Sequence, residues 1–213
     1  MTLSALYALD TRTTVGLNYQ YTQDVFVNPG VGDGLNGYSQ NVYLSVVRRF
    51  NPRLSLTLDG GYTVRNSDDG SVSTSPSGSG SLVYNYGPFS SITLTIAQAL
   101  SEASLGANRS FSAQENTSMA LQIHHRITAR LSVEADGTYV YTTLTAPLET
   151  LQGTAVTLRP NDEGLTGHLN CSYIFRDWLS VSLDYYRTQL ASSSVLIQPY
   201  SHNQISLGVV LTY

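Results

Sequence analysis

Lysine is absent from this 213-residue chain, and all 11 basic residues are arginine. Charged residues make up only 12%, half the roughly 25% usual in globular domains. The formal net charge of −4 argues against a nucleic-acid partner. A single cysteine, Cys171, excludes an internal disulfide. No uninterrupted run of 18 apolar residues occurs, so no transmembrane helix is expected. The opening MTLSALYALD has no basic segment ahead of its apolar residues and does not read as a signal peptide. What fills the chain instead is Ser, Thr, Asn, Gln, Gly and 15 tyrosines, with a mean hydropathy close to zero.

The apolar residues are placed with period two from end to end. In RLSLTLDGGYTVR, Leu54, Leu56, Leu58, Gly60, Tyr62 and Val64 alternate with Arg53, Ser55, Thr57, Asp59, Gly61, Thr63 and Arg65. SITLTI, LSVEADGTYVYTT and WLSVSLDYY repeat the pattern. No helical period is sustained. Strands are predicted near 14–26, 38–49, 53–66, 76–86, 90–100, 113–127, 130–144, 164–175, 178–190 and 203–213. Residues 2–9 read as an eleventh strand of poorer alternation, with no assigned role in the sheet. Short connections at 10–13, 51–53, 87–90, 128–130 and 176–178 alternate with long polar ones at 28–37, 67–75, 101–111, 145–163 and 191–202.

Strands of ten to fifteen residues exceed the usual five or six. One apolar and one polar face at that length fit a crossing of lipid, which takes about nine to eleven residues. The predicted fold is therefore all-β: an antiparallel up-and-down transmembrane β-barrel with about ten strands visible, ten to twelve in all, or part of a larger barrel. Residues 1–12 are taken as a partial strand or N-terminal segment and 13–213 as the barrel. The missing leader and the weak first strand point to a truncated product or fragment. Tyr19, Tyr21, Tyr62, Tyr84, Tyr86, Tyr139, Tyr141, Tyr173 and Tyr185 share the apolar phase, as interfacial girdles require.

The last residues, ISLGVVLTY, place Ile205, Leu207, Val209, Leu211 and Tyr213 on one face. This ending resembles the C-terminal signal of bacterial outer-membrane β-barrel proteins, with Tyr213 where Phe is usual. The resemblance implies recognition by the barrel-assembly machinery, pairing of the last strand with the first, and a place in the bacterial outer membrane. More narrowly, RRFNPRLSLTLDGGYTVRNSDD, IFRDWLSVSLDYYRTQLASS and YSHNQISLGVVLTY resemble the β-barrel porin families found near exopolysaccharide gene clusters. That implies a porin-like channel for small polar solutes, or for polysaccharide export with a periplasmic partner.

The polar phase gives the candidate lumen: Asp24, Arg49, Arg53, Asp59, Arg65, Arg126, Glu134, Asp136, His168 and Asp184. Seven arginines cluster at the short turns with only Asp10 and Asp177, while four arginines face 13 acids elsewhere. A basic periplasmic mouth and an acidic interior follow, steering ions. The bland alternative is ion pairs such as Arg53–Asp59 and Glu134–Arg65 that merely fill a narrow barrel. No nucleophile elbow, metal-spaced cluster or phosphate loop is found, so no enzyme, metal or cofactor is expected. His124 and His125 are adjacent and should point to opposite faces. His168 and Asn170 share the lumen face. Two other classes compete with a channel: a non-conducting, partner-binding outer-membrane barrel, and a soluble carbohydrate-binding β-sandwich.

Overall fold

The computed structural model describes residues 1–25, 36–68, 70, 72–101, 113–145, 149–151, 154–156, 161–193 and 198–211. Alternation of side chains with few helix formers produces strands throughout. They are β1 (Thr2–Ala8), β2 (Thr13–Asp24), β3 (Gly37–Asn51), β4 (Leu54–Ser67), β5 (Val72–Gly87), β6 (Ser90–Ser101) and β7 (Ala113–Arg126). Then follow β8 (Leu131–Thr145), β9 (Glu149–Leu151), β10 (Thr154–Val156), β11 (Asn161–Arg176), β12 (Leu179–Ser192) and β13 (Tyr200–Leu211). Eleven of them form one up-and-down sheet in chain order, with only the small β9–β10 hairpin outside it. β1 is a full member, paired with β2 from Thr2↔Gln20 to Ala8↔Thr14.

The short turns are closed by their first polar residue. Asn51 Oδ1 accepts the backbone N–H groups of Arg53 (2.8 Å) and Leu54 (2.9 Å). Thr128 Oγ1 does the same for Arg130 (3.1 Å) and Leu131 (3.0 Å). Asp10 Oδ1 accepts the Arg12 N–H at 2.6 Å, and this bond holds the Asp10 carboxyl below its ordinary range. Such side-chain-to-backbone bonds are why Asx and hydroxyl residues start turns. Register shifts at Arg49/Asn51, Asn85/Gly87 and Ile174/Arg176 bend three hairpins at this same end.

The register sorts side chains strictly. Leu56, Leu82, Leu94 and Leu121 form a row across β4–β7 on one face. One residue on, Thr57, Ser81, Thr95, Ala120, Thr138, Thr166 and Thr188 form a row on the other. The apolar face is the open one: Leu17, Leu44, Leu58 and Leu183 are 46–57% exposed. The polar face is the crowded one, with Asn18, Thr63, Arg65 and Ser75 below a tenth. Among the described residues no large side chain is fully buried. A sheet whose polar side is concave and whose leucines point outward has no core unless lipid supplies it.

This disposes of the soluble sandwich, which needs a second sheet over the apolar face. Among the described residues the other sheet is β9–β10, with three residues per strand. Two further differences from the sequence expectation concern loops. β5 begins at Val72, inside the expected loop at 67–75, and the φ of 83° at Gly70 suits glycine. Val72 and Thr74 alternate with serines and extend the strand through a segment whose composition reads as loop. The β9–β10 hairpin lies within the expected loop at 145–163.

β1 and β13 are the edges of the sheet. Both run from the long-loop end toward the short-turn end, so they are parallel in direction. Among the described residues β1 pairs with β2, β13 pairs with β12, and the two edges are not joined.

Candidate channel lining

The register places Asp24, Asp59, Arg65, Glu134, Asp136, His168 and Asp184 on the polar face. They fall into two walls. On the first, built by β2–β5, the charges are sparse. Arg65 Nη1 lies 2.9 Å from Asp24 Oδ2 near the long-loop end. Asp59 Oδ2 accepts from Ser79 Oγ at 2.7 Å. The remainder is hydroxyl and amide: Asn18 Nδ2 donates to Ser45 Oγ (3.0 Å) and Ser77 Oγ to Asn41 Oδ1 (3.0 Å).

The second wall, built by β7–β13, is acidic. His168 opposes Asp136 on β8 and Tyr186 on β12. Its Nδ1 is 3.2 Å from Asp136 Oδ2 and its Nε2 3.3 Å from Asp184 Oδ1. Asn170 Nδ2 donates to the same Asp184 oxygen at 2.6 Å. The Tyr186 ring stacks on the imidazole with centroids 4.2 Å apart and planes at 10°. One row toward the short turns, His124 Nδ1 meets Glu134 Oε1 at 2.8 Å. Three carboxylates and two imidazoles thus share one patch of wall. A neutral imidazole donates at one nitrogen, and only the imidazolium donates at both; His168 has a carboxylate at each.

The two ion pairs expected from sequence do not form. Glu134 meets His124 and Arg65 meets Asp24. Register is the reason. Arg65 stands near the long-loop end of β4 and reaches across β3 to the end of β2, whereas Glu134 stands near the short-turn end of β8. Asp59 bonds to Ser79 on the neighbouring strand.

Arg49 and Arg126 occupy the polar phase at the short-turn rim, opposite Ser55 and Ser132. Arg53 sits in the turn between β3 and β4. Arg126 braces its own turn, donating to the carbonyls of Thr128 (3.2 Å) and Ala129 (2.7 Å), with its guanidinium 4.7 Å above the Phe89 ring. Arg12 donates to the Phe50 carbonyl at 3.2 Å, and Arg48 lies 5.3 Å from the Phe50 ring. The rim is therefore arginine interleaved with aromatics. His125 points to the outer face, where its Nδ1 meets Tyr86 Oη at 2.8 Å; His124 points inward. On β13, Ile205, Leu207, Val209 and Leu211 are on the outer face and exposed; Tyr213 lies outside the described residues. Cys171, between Val133 and Leu183, also faces outward.

Among the polar-face residues that escaped the sequence reading are Tyr43, Asn41 and Ser77. Their parity within GYSQNVYLSVV and VSTSPSGSG carries the signal. Tyr43 shares its phase with Asn41 and Ser45, not with Val42 and Leu44.

Comparisons agree with this geometry. No curated protein matches the chain. OmpT, an outer membrane protein of Vibrio cholerae, superposes with a TM-score of 0.51 at 14% identity over 99% of this chain. The FrpB iron transporter of Neisseria meningitidis gives 0.59 at 14% over 89%, and the TodX monoaromatic hydrocarbon channel 0.52 at 11% over 100%. At these identities the likeness is one of fold. The chain spans 63% of OmpT, 34% of FrpB and 73% of TodX. The family described as putative beta-barrel porin 2 matches residues 39–213, most of the sheet. With an exposed leucine face and outer-membrane barrels as its structural neighbours, the chain is a bacterial outer-membrane β-barrel protein and belongs to the putative beta-barrel porin 2 family.

Proposed function

We propose that the chain forms the wall of a porin-like, non-catalytic channel for small polar solutes, with a preference for cations. The observation that carries this is the acidic patch of Glu134, Asp136 and Asp184 on the concave face. Carboxylates in a water-filled passage with low-dielectric walls focus field and concentrate cations. The arginine rim at the short-turn end would suit a periplasmic partner with an acidic surface, and polysaccharide export would call for a periplasmic partner.

The test is ion conductance of the refolded protein in a planar bilayer under a salt gradient. Stable steps with a cation-selective reversal potential are expected. Asp136→Asn with Asp184→Asn should move that potential toward zero. Insertion without conductance would overturn the reading and leave a structural barrel.

A further inference from the structure

The β2–β5 part of the wall has its own chemistry. A recess of about 240 Å³ opens there, lined by Gln20, Asn41, Tyr43, Asp59, Ser77 and Ser79 on β2–β5 and, at its far side, by β6 around Gln98. This equals the liquid share of roughly eight waters, the size class of one monosaccharide ring. We propose that this recess is a subsite for a neutral polyhydroxylated solute of pyranose size; the proposal rests on the channel reading for its biological use.

The polar groups are set up to read hydroxyls. Ser77 Oγ donates to Asn41 Oδ1 at 3.0 Å. That bond orients the amide and leaves the two Nδ2 hydrogens as donors. Ser79 Oγ donates to Asp59 Oδ2 at 2.7 Å, leaving Oδ1 as an acceptor. Gln20, directly opposite Asn41, offers one of each. Alternating donors and acceptors suit hydroxyl groups, which both give and accept.

Tyr43 supplies an apolar surface for the C–H face of a ring. It lies inward, between Asn18 and Gly61 in the register. A Cβ on Gly61 would meet the Val42 carbonyl at 2.2 Å and Tyr43 Cβ at 2.4 Å. Position 61 is thus closed to any side chain, and the strand carrying Tyr43 is seated against bare backbone. Apolar surface with a few oriented polar groups is the usual composition of a small-molecule site.

Charge argues for a neutral occupant. Asp59 is the single charged residue among the lining groups, which disfavours anions. One of its oxygens is engaged by Ser79, and the Glu115 carboxylate, which accepts from the lining residue Gln98 at 2.6 Å, is also engaged by Ser75 at 2.7 Å. Cations find three carboxylates on the other wall.

The test uses D-glucose as probe and gluconate as its anionic counterpart, on the refolded full chain. In the bilayer, glucose should interrupt the ion current reversibly and saturably, and gluconate should not. Asp59→Asn with Asn41→Ala should weaken the block about tenfold. Tyr43→Leu, which keeps bulk but removes the ring, should also weaken it. Asp136→Asn should change ion preference and leave the block intact. Conductance without glucose block beyond the viscosity effect overturns the subsite and spares the channel. Should the protein insert without conducting, saturation-transfer NMR on the detergent-refolded protein decides. Transfer to glucose that is lost in the Asp59→Asn, Asn41→Ala variant supports the subsite, and no transfer overturns it. Heat-modifiable electrophoretic mobility confirms that each variant is folded.

Discussion

Leu183→Arg and Ser182→Arg sit one residue apart on β12, and their consequences should differ by several kcal/mol. Leu183 is 51% exposed on the outer face, between Cys171 and Leu207. Removing its exposed half from lipid forfeits about 0.8–1.5 kcal/mol, half of a leucine's transfer free energy. A guanidinium near the midplane adds about 2–4 kcal/mol, giving about 3–5.5 kcal/mol in all. Ser182 faces inward, with its Oγ 3.4 Å from Asp184 Oδ2 and against Gly208, where an added Cβ would meet that oxygen at 2.6 Å. An arginine there spreads over bare glycine and gains Asp184. Its effect should stay within about 1 kcal/mol. Reversible urea unfolding in lipid vesicles measures both. Equal destabilisation by the two variants, or a larger loss from Ser182→Arg, would mean the faces are assigned the wrong way round.

Two neighbouring glycines should also separate. Gly61→Ala drives a methyl into the Val42 carbonyl and should destabilise by about 1–3 kcal/mol. Gly60→Ala points outward with nothing within 4 Å and should be silent in the same urea assay. Arg65→Ala leaves Asp24 without its 2.9 Å partner. Because Asp24 keeps 32% of its side-chain surface and can hydrate, the expected loss is about 1–3 kcal/mol rather than the full value of a buried pair. A double-mutant cycle with Asp24→Ala isolates the pair, and a coupling near zero would show that the Asp24 contact contributes nothing to stability.

Which residues face lipid was legible because a strand has a side-chain period of two, and each register pair carries that parity to the next strand. Leu94 and Leu183 needed nothing else. The same logic placed Asp136, His168 and Asp184 on one face. It could not say that they converge, because Asp136 and Asp184 lie 48 positions apart and meet only once β8, β11 and β12 are in register. Pairing of Arg65 was missed for the same reason. Parity gives the face of a residue, while its height on the wall depends on stagger between strands. Tyr43 was obscured differently. Fifteen tyrosines with most on the outer phase make any tyrosine look like girdle, and only its neighbours Asn41 and Ser45 mark Tyr43 as inward. The early start of β5 was hidden by composition, since a serine-rich segment reads as loop although Val72 and Thr74 keep strand parity.

Separation of the two walls has a consequence that salt can expose. Ion steering by Glu134, Asp136 and Asp184 acts through water over a screening length of about 10 Å at 0.1 M salt, which shrinks to about 3 Å at 1 M. Cation preference should therefore fall steeply across that range. A subsite that reads hydroxyls through Asn41, Asp59 and Gln20 works at hydrogen-bond distance on a neutral solute, so counterions do not compete with it. Glucose block should stay nearly constant over the same range. Parallel decline of both would mean that a single charged site governs passage, and that the sparsely charged wall of β2–β5 takes no part in recognition.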